Sequence, residues 1–324
     1  MKSTYDIIGD VHGQADALVA LLRKMGYQEL KGAWSHPGRS AIFVGDFVDR
    51  GPKQVDALMM VRRMVDAGTA LAVMGNHDFN AVAWHMPDPA NPGDSLRSHF
   101  SKRDGKKNRQ QHAIFLAEVE SRPVLHEEII DWLLGLPLWL DLPELRVIHA
   151  CWHSRCVEYL RPRLLPGAHL SKELMLAATH EPELEDGENP AEASIFNAVG
   201  MLLKGMEIPL PIECGFNDKD GRQRSRARVR WWAKGPISYR NGILLEDRLR
   251  ARLPDIPIPR ELPTCEATGK PIFFGHYSFA GPPEPLSPRL ACVDYGAGHQ
   301  GPLCAYRWDG ESALDSSHFC LVRT

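Results

Sequence analysis

The chain has 324 residues, 44% of them hydrophobic and 24% charged, with a formal net charge of −3. That length buries a full core and allows one large domain or two ordinary ones, and the balance is that of an ordinary soluble globular protein. It excludes a global basic field, so neither a stable nucleic-acid complex nor a membrane is expected as a partner.

The first strand begins at Tyr5 and runs into Ile7-Ile8-Gly9-Asp10-Val11-His12-Gly13. It leaves no room for a signal peptide, and a cytoplasmic location is expected. Ala17, Leu18, Leu21, Leu22 and Met25 then recur at helical spacing, so a helix is predicted over Ala15–Met25, ended by Gly26. Residues 27–40 read as a loop rich in Gly, Pro and Ser. The apolar run Ala41–Val44 predicts a short buried strand that ends in Gly45-Asp46-Phe47-Val48-Asp49-Arg50-Gly51. A second helix is predicted over Pro52–Ala67, and a third strand, Ala70–Met74, ends in Gly75-Asn76-His77-Asp78. The three strand ends lie some thirty residues apart, the length of a β-α-β step. Strands of this kind carry ligands at their carboxyl edge.

From Ala81 to Arg122 the character changes: Pro87, Pro89, Pro92 and Gly93 break the chain, Lys102–Lys107 is basic, and a helix is predicted over Asn108–Val119. The segment reads as an insertion over the site, not a domain, because it has no core of its own. The apolar run Trp132–Leu142 is too short to span a bilayer and is expected in the interior. Leu145–Ala150 is a buried strand ending at His149. Residues 155–210 read as a helical, polar second insertion with the loop Glu181–Glu188 exposed. A strand-like stretch follows at Arg222–Trp232, then a Pro- and charge-rich connection from Gly235 to Pro271. Pro271–His276 is another strand end with a histidine, and Arg289–Val293, Leu303–Trp308 and Ser317–Val322 extend a sheet. The expected fold class is α/β, one domain over residues 1–324 with insertions at about 81–122 and 155–210. Seven cysteines without a C-x-x-C pair argue against a disulfide framework or zinc knuckle, and Cys151 and Cys156 are read as structural.

The strand ends collect Asp10, His12, Asp46, Asn76, His149 and His276. Carboxylate, imidazole and amide donors together suit manganese, iron or zinc more than magnesium or calcium. Asp46 sits on the central strand, between Asp10/His12 and Asn76/His149/His276, as the natural bridge between two ions. Two ions ~3.5–4 Å apart can hold a hydroxide and polarise a phosphoryl group. His77 is placed to protonate the leaving oxygen, Asp49 to orient His77, and Arg50 to grip a phosphate with its planar fork. A lone Asp-x-His is a common accident; six donors in order, each just past an apolar strand, are not.

These motifs resemble the three signatures of the phosphoprotein phosphatase branch of the calcineurin-like metallophosphoesterases. His149-Ala150 resembles that family's His-Ala(-Gly), with Cys151 in place of glycine, and Gly275-His276 its last ligand motif. Other branches carry Gly-His-x-His, where this chain has Ser278, and lack Asp49-Arg50. The resemblance implies an αββα sandwich with a dimetal site at the strand ends. It implies Asp10, His12 and Asp46 on one ion and Asp46, Asn76, His149 and His276 on the other, with two divalent ions, Mn2+ first, as cofactors.

Arg222, Arg224, Arg226, Arg228 and Arg230 alternate, which in an extended strand places all five on one face. A solvated edge strand is the plain alternative for the outer three. Ala227-Arg228-Val229-Arg230-Trp231-Trp232 resembles a stretch of the bacterial diadenosine tetraphosphatases in which an arginine clamps the scissile phosphate, so Arg228 or Arg230 is expected in substrate binding. The ending, with Gly275-His276-Tyr277, Asp294-Tyr295-Gly296 and Gly301 to Arg307, resembles the same enzymes and bacterial polynucleotide kinase-phosphatases. The expectation is a metal-dependent phosphoesterase acting on a phosphoprotein or nucleotide. A serine/threonine protein phosphatase-like phosphomonoesterase comes first and a dinucleoside polyphosphate hydrolase second; a catalytically silent phosphate-binding protein is the reading from another class.

Overall fold

The computed structural model describes residues 4–102, 104–182, 194–217, 223–233, 235–258 and 269–324. β1 (Tyr5–Ile8) leads into α1 (Ala15–Lys24), which buries Ala17, Leu18, Leu21 and Leu22 on one face as the spacing predicts. The stretch expected to be only loop contains a hairpin, β2 (Gln28–Leu30) and β3 (Ala33–Ser35). Its two-residue turn, Lys31-Gly32, has positive φ at both positions (53° and 83°), the geometry tight hairpins favour. β4 (Ser40–Phe43), α2 (Gln54–Asp66) and β5 (Ala70–Ala72) follow. β4 pairs in parallel with both β1 and β5.

The third strand end opens directly into α3 (Asn76–His85), a helix not foreseen there, with Asn76 to Trp84 all buried. α4 (Gly105–Val119) starts three residues earlier than expected. It sends Phe115, Leu116 and Val119 into the protein interior. Its Glu118 accepts the Gln54 and Val55 N–H groups (2.8 and 2.9 Å), capping the first turn of α2. The run expected from Trp132 to Leu142 divides at Gly135 and Pro137. Its first part is the end of α5 (Pro123–Leu134), and its second is β6 (Trp139–Asp141), which pairs with β7 (Arg146–Ile148).

The second insertion is less polar than expected. α6 (Ser154–Leu160), α7 (Lys172–Thr179) and α8 (Ile195–Lys204) contribute Val157, Leu160, Met175, Val199, Leu202 and Leu203 to the interior. Most of the acidic loop Glu181–Glu188 lies outside the described residues. The arginine stretch is also not one strand. β8 (Glu207–Pro209), β9 (Phe216–Asn217), β10 (Gln223–Arg224) and β11 (Arg226–Arg228) form two separate ladders, β10 on β9 and β11 on β8, broken at Ser225. Arg222 lies outside the described residues. The connection after Gly235 contains two short helices, α9 (Tyr239–Gly242) and α10 (Asp247–Arg250). Tyr239, Ile243, Leu253 and Ile258 close a small apolar cluster there with Ile208, Ala227 and Val229.

β12 (Ile272–Phe274), β13 (Leu290–Cys292), β14 (Leu303–Trp308) and β15 (Phe319–Val322) complete two sheets, ordered β15-β14-β1-β4-β5 and β13-β12-β7-β6. Side chains alternate across the strands, so Ile7, Ile42, Val44, Val147, Phe273 and Ala291 meet between the sheets. Their neighbours Ile8, Phe43, Ile148, Phe274 and Cys292 face the opposite way, into the helix-lined core. The result is a mixed α/β sandwich in which the ends of β1, β4 and β5 from one sheet meet those of β7 and β12 from the other.

Candidate metal centre

Asp46 stands between two groups of donors: His12, Asp46 and His77 on one side, and Asp46, His149 and His276 on the other, each within 4.8 Å. His12 Nδ1 lies 2.9 Å from the Val48 carbonyl and His149 Nδ1 2.8 Å from the Val44 carbonyl, so both rings donate there. That fixes the tautomer and turns a bare Nε2 inward. The inward atoms face acceptors. His12 Nε2 is 3.4 Å from Asp46 Oδ2, and His149 Nε2 is 3.5 Å from Asp46 Oδ1 and 3.1 Å from Asn76 Oδ1. Lone pairs aimed at one another in a buried site need a cation between them. The residues present fit divalent ions.

The carboxylates give the same result. Burial raises Asp10 well above the usual carboxylate range, and the charges of Asp294, Asp46 and Asp78 raise it further. His12 is pushed down to about 3, chiefly by burial, which leaves it neutral as a ligand must be. Against its burial, Asp46 is held low by the imidazoles of His149, His77 and His12.

Asp10 accepts the His276 N–H at 3.1 Å, and His77, not Asp10, completes the first three-donor group. His77 Nδ1 is 2.5 Å from Asp49 Oδ2, leaving Nε2 toward the site, 3.5 Å from Arg50 Nη2. Its burial lowers it, but the Asp46 and Asp49 carboxylates outweigh that and hold it above the ordinary histidine value. Asn76 Oδ1 also lies 2.7 Å from His276 Nδ1. Glycine is required twice beneath these donors. A Cβ on Gly75 would lie 2.2 Å from Asp46 Oδ1, and one on Gly275 2.1 Å from Asp10 Oδ1.

Sequence reading missed five supporting side chains. Asp78 accepts the N–H groups of Asp46 (2.8 Å), Phe47 (2.9 Å) and Gly75 (2.9 Å), pinning two strand ends together. His112, fully buried, has Nδ1 2.9 Å from Asp49 Oδ1, and Gln111 Nε2 reaches Asp49 Oδ2 (3.2 Å) and His77 Nδ1 (3.1 Å). Asp294 accepts from Ser278 N (2.6 Å) and Gly296 N (2.9 Å) behind Asp10. His299 lies against the Arg50 guanidinium, with Nε2 2.5 Å and Nδ1 3.2 Å from Nη1. Of these, Asp78 completes Gly75-Asn76-His77-Asp78 and was visible in the motif; His112 sits on α4, far away in sequence.

The two arginines set apart from the rest differ in surroundings. Arg228 lies near enough to His276 to act on its charge, and 3.7 Å from Glu207. Arg230 faces Arg250 and Asp247 instead. Of the two, Arg228 is the one whose charge acts on His276.

Residues 4–155 match the family profile described as calcineurin-like phosphoesterase. That part of the chain carries a calcineurin-like phosphoesterase domain. It is similar to the asymmetrical bis(5'-nucleosyl)-tetraphosphatase PrpE of Halalkalibacterium halodurans, 49% identical over 74 residues, 22% of this chain and 30% of that protein. It is also similar to the PrpE of Oceanobacillus iheyensis, 44% identical over 163 residues, 48% of this chain and 57% of that protein. These matches therefore span less than two thirds of either relative's own length. Among solved structures, a cold-active protein-tyrosine phosphatase of a psychrophilic Shewanella aligns over 95% of this chain and 79% of its own at 18% identity, with a TM-score of 0.48. Among the described residues, no helix is long and apolar enough to cross a membrane.

Proposed function

We propose that the protein is a metal-dependent hydrolase of phosphoric esters and anhydrides, and that its substrate is a dinucleoside polyphosphate. The carrying observation is the pair of donor groups sharing Asp46, with His77 tethered to Asp49 at their rim. The relatives named as tetraphosphatases move the second of the two enzymatic expectations ahead of the protein phosphatase. The silent reading is disfavoured by a complete donor set with a tethered acid beside it.

We assign the ligands as Asp10, His12, Asp46, Asn76, His149 and His276, with manganese the first expectation. Two divalent ions there would neutralise phosphoryl charge and activate the attacking water. The chain's own residues do the rest. Asp49 fixes His77 through Nδ1, so Nε2 carries the proton toward the leaving oxygen. Arg50, beside that atom, and Arg228, beside His276, hold phosphoryl oxygens by charge-assisted hydrogen bonds. Asn76 serves both the donor group and the substrate.

The test is hydrolysis by metal-depleted protein before and after addition of Mn2+, across diadenosine tetraphosphate, a phosphopeptide and p-nitrophenyl phosphate. Metal-stimulated cleavage with the highest kcat/KM on the dinucleotide is expected. A phosphopeptide preference restores the protein phosphatase reading, and no metal-stimulated release from any of them supports the silent one.

A further inference from the structure

Beyond the donor groups, cations are gathered with too little negative charge to match them. Arg97, between α3 and α4, donates from Nη2 to Gln111 Oε1 (2.6 Å), while its Nε is buried without a partner. Gln111 is the amide that also touches Asp49 and His77, so Arg97 lies one side chain behind that pair. Lys204, the last residue of α8, holds its Nζ 6.0 Å over the ring of Phe79, and that Nζ makes no hydrogen bond or ion pair among the described residues. Burial lowers its ammonium pKa, and the charge of Arg97 lowers it further.

The place is next to the site. Phe79 is two residues beyond His77 on α3. Gly205 abuts Tyr277, whose Oη would lie 2.2 Å from a Cβ there, so Lys204 borders the His276-Tyr277 segment. Arg228, whose Nε makes no hydrogen bond but lies 3.7 Å from Glu207 Oε1, has its charge near His276 and Tyr277. Glu207 faces both Lys204 and Arg228, and Asp104 and Asp49 face Arg97. Asp49 is already taken by His77 and His112. A buried Arg97 Nε without a hydrogen bond, a Lys204 Nζ without an ion-pair partner and an Arg228 that shares Glu207 call for an anion from outside.

We propose that Arg97 and Lys204, with Arg228 opposite, form a second oxyanion subsite that takes the phosphoryl group adjoining the scissile one. The inference rests on the phosphoesterase reading and deepens it. A substrate with two or more linked phosphoryl groups engages both positions; a simple monoester fills only the first. Arg97 comes from the first insertion and Lys204 from the second, so the two insertions meet over the phosphate chain.

The experiment titrates manganese-loaded protein calorimetrically with methylphosphonate and methylenediphosphonate, non-hydrolysable probes differing by one phosphonyl group. In wild type the diphosphonate should bind at least about ten-fold tighter, the scale of one charge-assisted hydrogen bond. Lys204→Met and Arg97→Met should each lower that affinity ratio by about ten-fold, and Lys204→Arg, which keeps the charge, should preserve most of it. Equal ratios in wild type and both methionine variants, with metal content and melting temperature retained, overturn the subsite. If either methionine variant fails to fold, Lys204→Gln and Arg97→Gln are read by the same ratio. The phosphoesterase reading fails separately, through absence of metal-stimulated hydrolysis by wild type, because the binding ratio needs no turnover.

Discussion

Replacing His112 with phenylalanine isolates the support under the acid. The ring volume is kept near Trp84, whose centroid lies 6.0 Å away, but the donor to Asp49 Oδ1 disappears. Asp49 is 1% exposed, so no water replaces that donor, while Oδ2 keeps His77 and Gln111. A hydrogen bond to a charged group is worth about 1.5–3 kcal/mol. At about 2–4 °C per kcal/mol for domains of 150–250 residues, and less for a longer chain, the melting temperature should fall by several degrees. If half of the loss reaches the orientation of His77, kcat falls roughly 3- to 12-fold. Calorimetry and steady-state kinetics on p-nitrophenyl phosphate read both. His112→Asn, whose amide can occupy the place of Nδ1, should recover part of each. A His112→Phe protein with wild-type melting temperature and kcat would refute the idea that His112 carries any of the load on Asp49.

Asp46→Asn should lose both metals together, measured by elemental analysis, because both donor groups need that carboxylate; retention of one full ion per chain contradicts the bridge. His77→Asn should keep its metals and lose about 10²–10⁴-fold in kcat, less for substrates with good leaving groups. This variant is decisive, since His77 also lies within the first donor group and a metal-free protein would make it a ligand. Arg228→Ala should reduce kcat/KM roughly 10- to 150-fold for every phosphoester tested, at 1.4 kcal/mol per decade, whereas Arg230→Ala should change it little; the reverse order would reassign the clamp. His126, pushed down to about 4 chiefly by burial and also by His85, with Glu120 opposing, stays neutral in the folded chain while the unfolded chain takes a proton near pH 6.5. Its share of stability is present above about pH 6.5 and is lost as pH falls toward 4, so His126→Phe should flatten that part of a denaturation-versus-pH curve.

The strands bearing Asp10, Asp46, His149 and His276 were legible because each is a short apolar run stopped by a turn and a polar donor, and burial on both faces enforces that pattern. The convergence of His12, Asp46, His149 and His276 follows from the same strand-end pattern. The polarity of α8, though not its helical form, was misread, because the acidic segment before it set the expectation for a stretch whose core face is Ala198, Val199, Leu202 and Leu203. The arginine repeat misled in the opposite direction. A period of two gives alternation only while pairing persists, and the ladder changes partner at Ser225. The brace His112 was not legible at all: it lies 63 residues from Asp49, and no local spacing marks a contact made by a helix folded back over the site. Lys204 ends a helix, where cations favour the dipole; its Nζ over Phe79 without an ion-pair partner sets it apart.

Backbone strain ties the site to the sheets that hold it. His12 (φ 45°), Asp46 (φ 54°), Asp49 (φ 70°), Arg50 (φ 77°) and His276 (φ 73°) all occupy the left-handed region, which costs a residue with a Cβ about 1–2 kcal/mol. None of the five is glycine, so each side chain is wanted where glycine would be easier. The hydrogen bonds from Asp46 N and Phe47 N to Asp78, and from His12 N to the Asp46 carbonyl (2.8 Å), oppose that cost locally. The sheet interior opposes it globally, with Ile7, Ile42, Val44, Val147 and Phe273 all fully buried beneath the turns. Five left-handed residues on one rim, among the five buried carboxylates Asp10, Asp46, Asp49, Asp78 and Asp294, describe a surface that is poor for stability and good for binding charge. Placing the donors on strand ends rather than on free loops lets both conditions hold in the same fold.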